Sequence, residues 1–253
     1  MELELWQFAV LFAAAFFGGF IDSIAGGGGL ISLPALLAVG VPPHVAIATN
    51  RFQGSFGSFT AALNFIRKGY VDAAEILRGV IFTFIGGLVG ACVLLLVDAK
   101  FLNYLIPILL LALLFYMIFS PNLGEAPAKP KMSKKSFYAI FGLVLGFYDG
   151  FFGPGTGSFW TFALVGILGL YMKKAVAHTK VLNFTSNIVS LGVFIIGGQI
   201  LWLVGAVMAV GQIAGSFGGS SLVMRCDVKF VRKMLLFVIA ATILKLLYGL
   251  IAN

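Results

Sequence analysis

The sequence predicts an all-α integral membrane protein built from two related halves that form inverted repeats. Three observations carry this expectation. First, 60% of the 253 residues are hydrophobic and only 10% are charged, with a mean hydropathy of +1.07; a soluble domain carries about 25% charged residues. Second, the apolar residues fall in long unbroken runs. Helices satisfy their own backbone polar groups in lipid, whereas a transmembrane barrel shows segments of about ten residues with alternating polarity. Third, one motif occurs twice in the same order. Gly19-Phe20-Ile21-Asp22-Ser23-Ile24-Ala25-Gly26-Gly27-Gly28-Gly29 leads through a short apolar run and Pro42-Pro43 to Ala48-Thr49-Asn50-Arg51-Phe52-Gln53-Gly54. Gly146-Phe147-Tyr148-Asp149-Gly150-Phe151-Phe152-Gly153-Pro154-Gly155-Thr156-Gly157 leads through another to His178-Thr179-Lys180-Val181-Leu182-Asn183.

Ten apolar segments follow in order, at 5–25, 29–40, 43–66, 73–97, 101–120, 136–152, 157–170, 172–197, 201–223 and 230–250. Eight reach or approach the ~17–25 residues that a spanning helix needs. The second and seventh are only about 18–21 Å long as helix, and each follows a glycine cluster. The expectation is therefore about eight full transmembrane helices plus two half-length helices after glycine-rich breaks. The chain reads as one transmembrane domain, 1–253, with repeat 1 at 1–120, a polar linker at 121–135 containing Pro121, Pro127 and Pro130, and repeat 2 at 136–253. Glu2 and Glu4 precede the first segment in place of a basic region, so it reads as a retained helix rather than a cleaved signal peptide.

The net charge of +8 is read as topology, not as affinity for nucleic acid. Arg67, Lys68 and Arg78 follow segment three, Lys129, Lys131, Lys134 and Lys135 follow segment five, Lys173 and Lys174 follow segment seven, and Arg225, Lys229, Arg232 and Lys233 follow segment nine. With five crossings per half, all these loops share one side, the cytoplasm by the positive-inside rule. Both termini then lie outside and the halves are mutually inverted, a plan shared by many secondary transporters. Small-residue motifs repeat too. Gly86-x-x-x-Gly90 matches Gly211-x-x-x-Gly215, a spacing that lets helices approach closely in lipid.

Depth arithmetic brings the polar residues together. Arg51 lies eight residues past Pro43, about 12 Å along a helix, and Lys180 nine past Tyr171, about 13 Å from the opposite side. Both approach the midplane of a core ~30 Å thick. Helix N-termini after Gly28, Gly29, Gly155 and Gly157 would offer unpaired N–H groups and partial positive charge there. Arg51, Lys180 and His178 would add fixed or switchable charge, and Thr49, Asn50, Gln53 and Asn183 would orient a ligand. Together they point to a small oxyanion. A blander reading stands beside this one: Arg51 and Lys180 form structural ion pairs with Asp22 or Asp149, and those carboxylates cap the glycine breaks. Proton coupling through Asp22 or Asp149 is a further alternative.

Other chemistries find no support. Gly153-x-Gly155-x-Gly157 has no βαβ unit around it, and no Walker lysine follows either glycine cluster. Cys92 and Cys226 form neither a metal spacing nor a disulfide framework. No catalytic triad, metal site or cofactor is expected, and the chain does not read as an enzyme.

The paired motifs, together with Leu30, Pro34 and Ala48-Thr49-Asn50, resemble the sulfite exporter TauE/SafE family, in particular its YfcA-like branch of probable membrane transporters. The resemblance covers essentially the whole chain. It implies a multi-pass permease of the bacterial inner membrane that acts on sulfite, organosulfonates or related sulfur anions. The expected function is secondary transport of a small sulfur-containing oxyanion by alternating access, with an anion channel or a non-transporting membrane scaffold as alternatives. The expected partners are the anion and the lipid bilayer. A co-transported proton and a homodimer are left open.

Overall fold

The computed structural model describes residues 3–98, 100–102, 105, 108 and 129–225. Most of the expected fifth segment (101–120) and of the linker lies outside the described residues, as do the whole tenth segment (230–250), Glu2, Cys226, Lys229, Arg232 and Lys233. The described residues form helices and no strand: α1 (Leu5–Ala25), α2 (Gly29–Ala38), α3 (Pro43–Arg67), α4 (Ala73–Leu96), α5 (Lys134–Phe151), α6 (Thr156–Gly166), α7 (Met172–Ile196) and α8 (Trp202–Arg225). Local chemistry sets their starts. Pro43 opens α3, where its missing N–H would have had no helical partner anyway. The Asp72 carboxylate accepts from Ala74 N–H (2.9 Å) at the start of α4. The Ser133 hydroxyl accepts from Ser136 N–H (3.1 Å) at the start of α5. Among the described residues, α1, α4, α7 and α8 are long and apolar enough to cross a membrane. The 25 residues of α3 equal α7 in length, but its polar string lowers its hydropathy.

The two short helices, 10 and 11 residues long, extend about 15–17 Å. Each doubles back along the helix before it. Leu33 and Leu36 of α2 share an apolar cluster with Leu11 and Ala15 of α1, and that cluster closes on Val41. Lys131 N–H, just before α5, donates to the Ile167 carbonyl just after α6 (2.8 Å). The hairpins are rooted at opposite ends of the molecule, and α4 runs between those ends. At the start of α4, Glu75 pairs with Lys134 (2.7 Å) and Lys174 (2.6 Å), which begin α5 and α7. At its far end, the Val97 carbonyl meets His44 Nε2 (2.9 Å) in the first turn of α3. Apart from Lys100 beyond the far end of α4, the described basic residues of the loops therefore gather at the α5–α6 root.

The hairpin tips meet. Ser158 Oγ donates to the Gly26 carbonyl (3.2 Å). Gly26 has φ +78, and a Cβ there would strike the backbone of Gly157 and Ser158, so only glycine fits both the conformation and the approach. Around the tips the helices pack crosswise. α1 lies along α8, α4 lies along α5, and α3 packs against α7. The repeated small-residue motifs supply the contact faces. Gly86 and Gly90 sit on the carbonyls of Leu143 and Phe147, and Gly211 and Gly215 on those of Phe12 and Phe16. Both motifs thus serve packing within one chain.

Candidate functional site

α3 carries its polar string inward because Asn50, Arg51 and Gln53 lie within one helical turn and the neighbouring helices present polar groups at the same level. Each then needs a partner, since unsatisfied polar groups are costly when buried. Ser32 Oγ of α2 donates to Asn50 Oδ1 (2.6 Å), and Gln53 Nε2 donates to the same oxygen (2.7 Å). Arg51 points to the second hairpin. Its Nη1 donates to Asp149 Oδ1 and to Asn187 Oδ1, both at 2.7 Å. Asp149 also accepts from Ser186 Oγ, so adjacent residues of α7 hold both members of the ion pair. The Arg51 and Asp149 side chains are 5% and 4% exposed. The guanidinium also lies against the hairpin tip at Gly153, where φ is +94 and a Cβ would strike Nη2. Arg51 Nε and Nη2 have no hydrogen-bond partner among the described residues.

Lys180 of α7 makes the second deep ion pair. Its Nζ donates to Asp22 Oδ2 (2.8 Å), and the lysine side chain is wholly buried while Asp22 is 17% exposed. The other oxygen of Asp22 accepts from the N–H groups of Gly27 (3.1 Å) and Gly28 (3.2 Å). Asp22 thus caps the break between α1 and α2 and tethers it to α7. The two cations address the same tip from different sides: Arg51 abuts Gly153, and Lys180 with Asn183 abuts Gly157.

Between these groups lies a cavity of about 50 Å³, counted as space open to the centre of a water-sized sphere. That exceeds the roughly 10–15 Å³ needed for one water on the same measure, so it has room for a few waters or one small ion. Of the residues singled out from the sequence, Arg51, Asn50, Gln53, Asn183, Gly29, Gly155, Gly157, Asp22 and Asp149 line it. Lys180 is joined to it through Asp22. Thr49, Gly28 and His178 are not among the lining residues. Thr49 Oγ1 accepts from Leu201 N–H (3.1 Å) ahead of α8. Gly28 N–H is taken by Asp22. His178 Nδ1 meets Tyr138 OH (2.8 Å) in a fully buried position. Thr49 faces the segment ahead of α8 and His178 faces α5, so each side chain is turned to a neighbouring element rather than to the cavity.

Gln212 also lines the cavity, and the sequence reading passed over it. It occupies a notch left by Gly19 and Gly57, where a Cβ would strike its atoms; its Oε1 is buried without a partner among the described residues. The available signal was an amide inside the glycine-rich, otherwise apolar run of α8. Among the described residues, no three His, Cys, Asp or Glu side chains gather to hold a metal.

A multi-pass helical bundle with two opposed half-length hairpins and a central charged cavity is the class of protein that these features define. Comparison with known proteins gives its family. The profile described as "Sulfite exporter TauE/SafE" matches residues 11–246, and the chain belongs to that family. It is 42% identical over 252 residues to a "Probable membrane transporter protein" of Haemophilus influenzae, covering 98% of this chain and 97% of the relative. It is 44% identical over 239 residues to "Probable membrane transporter protein YfcA" of Escherichia coli K12, covering 94% and 89%. It is 41% identical over 246 residues to "Probable membrane transporter protein ORF9" of a Sinorhizobium species, covering 97% and 94%. No solved structure matches the chain. The family and these relatives are described as membrane transporters, not as enzymes.

Proposed function

We propose that the protein is a secondary transporter of a small sulfur-containing oxyanion, sulfite or an organosulfonate, and that Arg51 is the residue that contacts it. One observation carries the reading: a charged guanidinium, almost fully buried, lines a central cavity with two nitrogens unpartnered among the described residues. A guanidinium fork matches planar and tetrahedral oxyanions, and a buried donor left without a partner is costly. A bound anion would satisfy it, with Asn50, Gln53, Asn183, Asn187 and Gln212 as neighbours.

Charge arithmetic adds a coupling proposal. Arg51 and Lys180 bring two positive charges, and Asp22 and Asp149 two negative, so the described site is neutral before ligand arrives. A monoanion would leave a net negative charge at low dielectric, which is expensive. A proton taken up with the anion restores neutrality, and Asp22 is the better exposed carboxylate. Anion–proton coupling is therefore the expected energetics.

The opposed hairpins support an alternating-access motion. Each closes half the thickness from its own end, and the ion pairs cross between them. In this reading the two sets of helices are inverted repeats, with eight full crossings and two half-length helices. The basic end faces the cytoplasm of a bacterial inner membrane and both termini face the periplasm. Proteoliposomes test the core of the proposal. Saturable, pH-gradient-dependent uptake of sulfite or a sulfonate is expected, and it should vanish in Arg51→Gln/Asp149→Asn. Unsaturable flux that cannot run uphill would favour a channel; undiminished transport by the variant would remove Arg51 as the ligand contact.

A further inference from the structure

A second cavity lies at the basic end, between the last turns of α3 and α8, with a volume of about 370 Å³. Its lining changes character along its depth. Taken along α3 and α8 from their ends inward, Lys68, Tyr70 and Arg225 come first as the rim, Asn64 and Ser221 next as the middle, and Phe217 last as the floor. Phe217 is eight residues before Arg225, which places it about 12 Å deeper along α8; it is 60% exposed, so the floor opens toward the lipid-facing flank. The middle is built rather than incidental, since Asn64 Nδ2 donates to Ser220 Oγ (2.8 Å) and Ser221 Oγ (3.2 Å) and locks α3 to α8. Lys68 and Arg225 make no ion pair among the described residues. A third cation stands close by: Lys173 Nζ donates to the Met224 carbonyl (3.2 Å), which offsets the negative end of the α8 dipole.

We propose that this pocket binds the phosphate-diester headgroup of an anionic phospholipid, with Lys68 and Arg225 on the phosphate and Phe217 beside the first carbons of an acyl chain. Cationic rim, neutral hydrogen-bonding middle and apolar floor follow the order of chemistry in a phospholipid. A free phosphate has nothing to place against Phe217. Basic pockets between transmembrane helices at the cytoplasmic side suit anionic headgroups, and each cation near such a surface contributes about fivefold in affinity. The lipid would clamp α3 to α8 at the end where the α5–α6 hairpin is rooted. The proposal is independent of which anion the central cavity takes.

Native mass spectrometry of the full-length protein in detergent tests it, with phosphatidylglycerol, phosphatidylcholine and inorganic phosphate titrated separately. Phosphatidylglycerol should bind in discrete adducts, and Lys68→Gln/Arg225→Gln should weaken it about 30-fold, roughly fivefold per cation. Lys68→Arg/Arg225→Lys should keep most of the binding. Ser221→Trp, which fills the pocket but leaves both cations, should also lose it; this variant keeps the test decisive if the neutral one does not fold. Equal binding of phosphatidylcholine, competition by millimolar inorganic phosphate, or binding by Ser221→Trp within twofold of the original would overturn the proposal.

Discussion

Arg51 and Lys180 begin as equivalents and end with different surroundings. Each sits in a long helix about eight or nine residues from its start, and each reaches an aspartate carried by the other hairpin motif. Their pairs have similar lengths, 2.7 and 2.8 Å. Yet Lys180 is enclosed, and its carboxylate is also held by two glycine N–H groups. Arg51 faces the cavity, braced by Asn187, with two nitrogens left over. A lysine ammonium is a compact point charge, whereas arginine can satisfy a carboxylate with one nitrogen and present others elsewhere. On our account one pair fastens a hairpin and the other is open to ligand.

The sharpest way to break this comparison is to neutralise each cation. Arg51→Gln should reduce saturable transport at least 100-fold. It should also destabilise the protein by about 3–5 kcal/mol, because it leaves Asp149 buried without its charge partner. Arg51→Gln/Asp149→Asn should regain stability in a detergent melt without regaining transport. Lys180→Met should cost less than Arg51→Gln in the same melt, because Asp22 keeps its two backbone donors and is better exposed. Adding Asp22→Asn should recover most of that loss, since the amide oxygen still accepts from Gly27 and Gly28. An equal loss at both sites would erase the distinction.

The tip glycines sharpen it further. Gly153→Ala forces a Cβ into the Arg51 guanidinium at φ +94, a strain of about 1–3 kcal/mol. It should weaken substrate affinity as well as stability. Gly26→Ala should cost similar stability by pushing the tips apart at Gly157, and should slow turnover more than it weakens affinity. Transport kinetics with a KM and maximal-rate split separate the two. The smallest effect belongs to Thr49→Val. Its hydroxyl meets only Leu201 N–H among the hydrogen bonds described, and interhelical hydrogen bonds in membranes average about 0.6 kcal/mol. A small loss of stability with unchanged KM is expected.

Helix positions were largely legible in the sequence because hydropathy, proline and glycine act locally. The expected segments at 5–25, 43–66 and 172–197 match α1, α3 and α7 within a residue or so. Half-length helices at the glycine breaks were legible for the same reason: those expected at 29–40 and 157–170 are found, somewhat shorter, at Gly29–Ala38 and Thr156–Gly166. Pairing was not. Arg51 and Asp149 are 98 residues apart, and nothing local tells Arg51 to prefer Asp149 over Asp22. The meeting of the tips at Gly26 and Gly157 is likewise a tertiary fact. Residues beside the deep cations were over-counted: Thr49 lies two before Arg51 and His178 two before Lys180, but both turn to other partners. Gln212 was under-counted because its environment is created by Gly19 and Gly57 on two other helices.

The most direct test is a thermal-shift panel on detergent-purified protein with sulfite, sulfate, thiosulfate, taurine, sulfoacetate and chloride at matched ionic strength. The panel would compare the unmodified protein with Arg51→Gln/Asp149→Asn and Lys180→Met/Asp22→Asn. A ligand at 100 times its Kd stabilises by about 2.7 kcal/mol. The account predicts a selective shift from one sulfur oxyanion in the unmodified protein, smaller and without its pH dependence but still present in the Lys180 double variant, and lost in the Arg51 double variant. A shift that survives without Arg51 and disappears without Lys180 would contradict it.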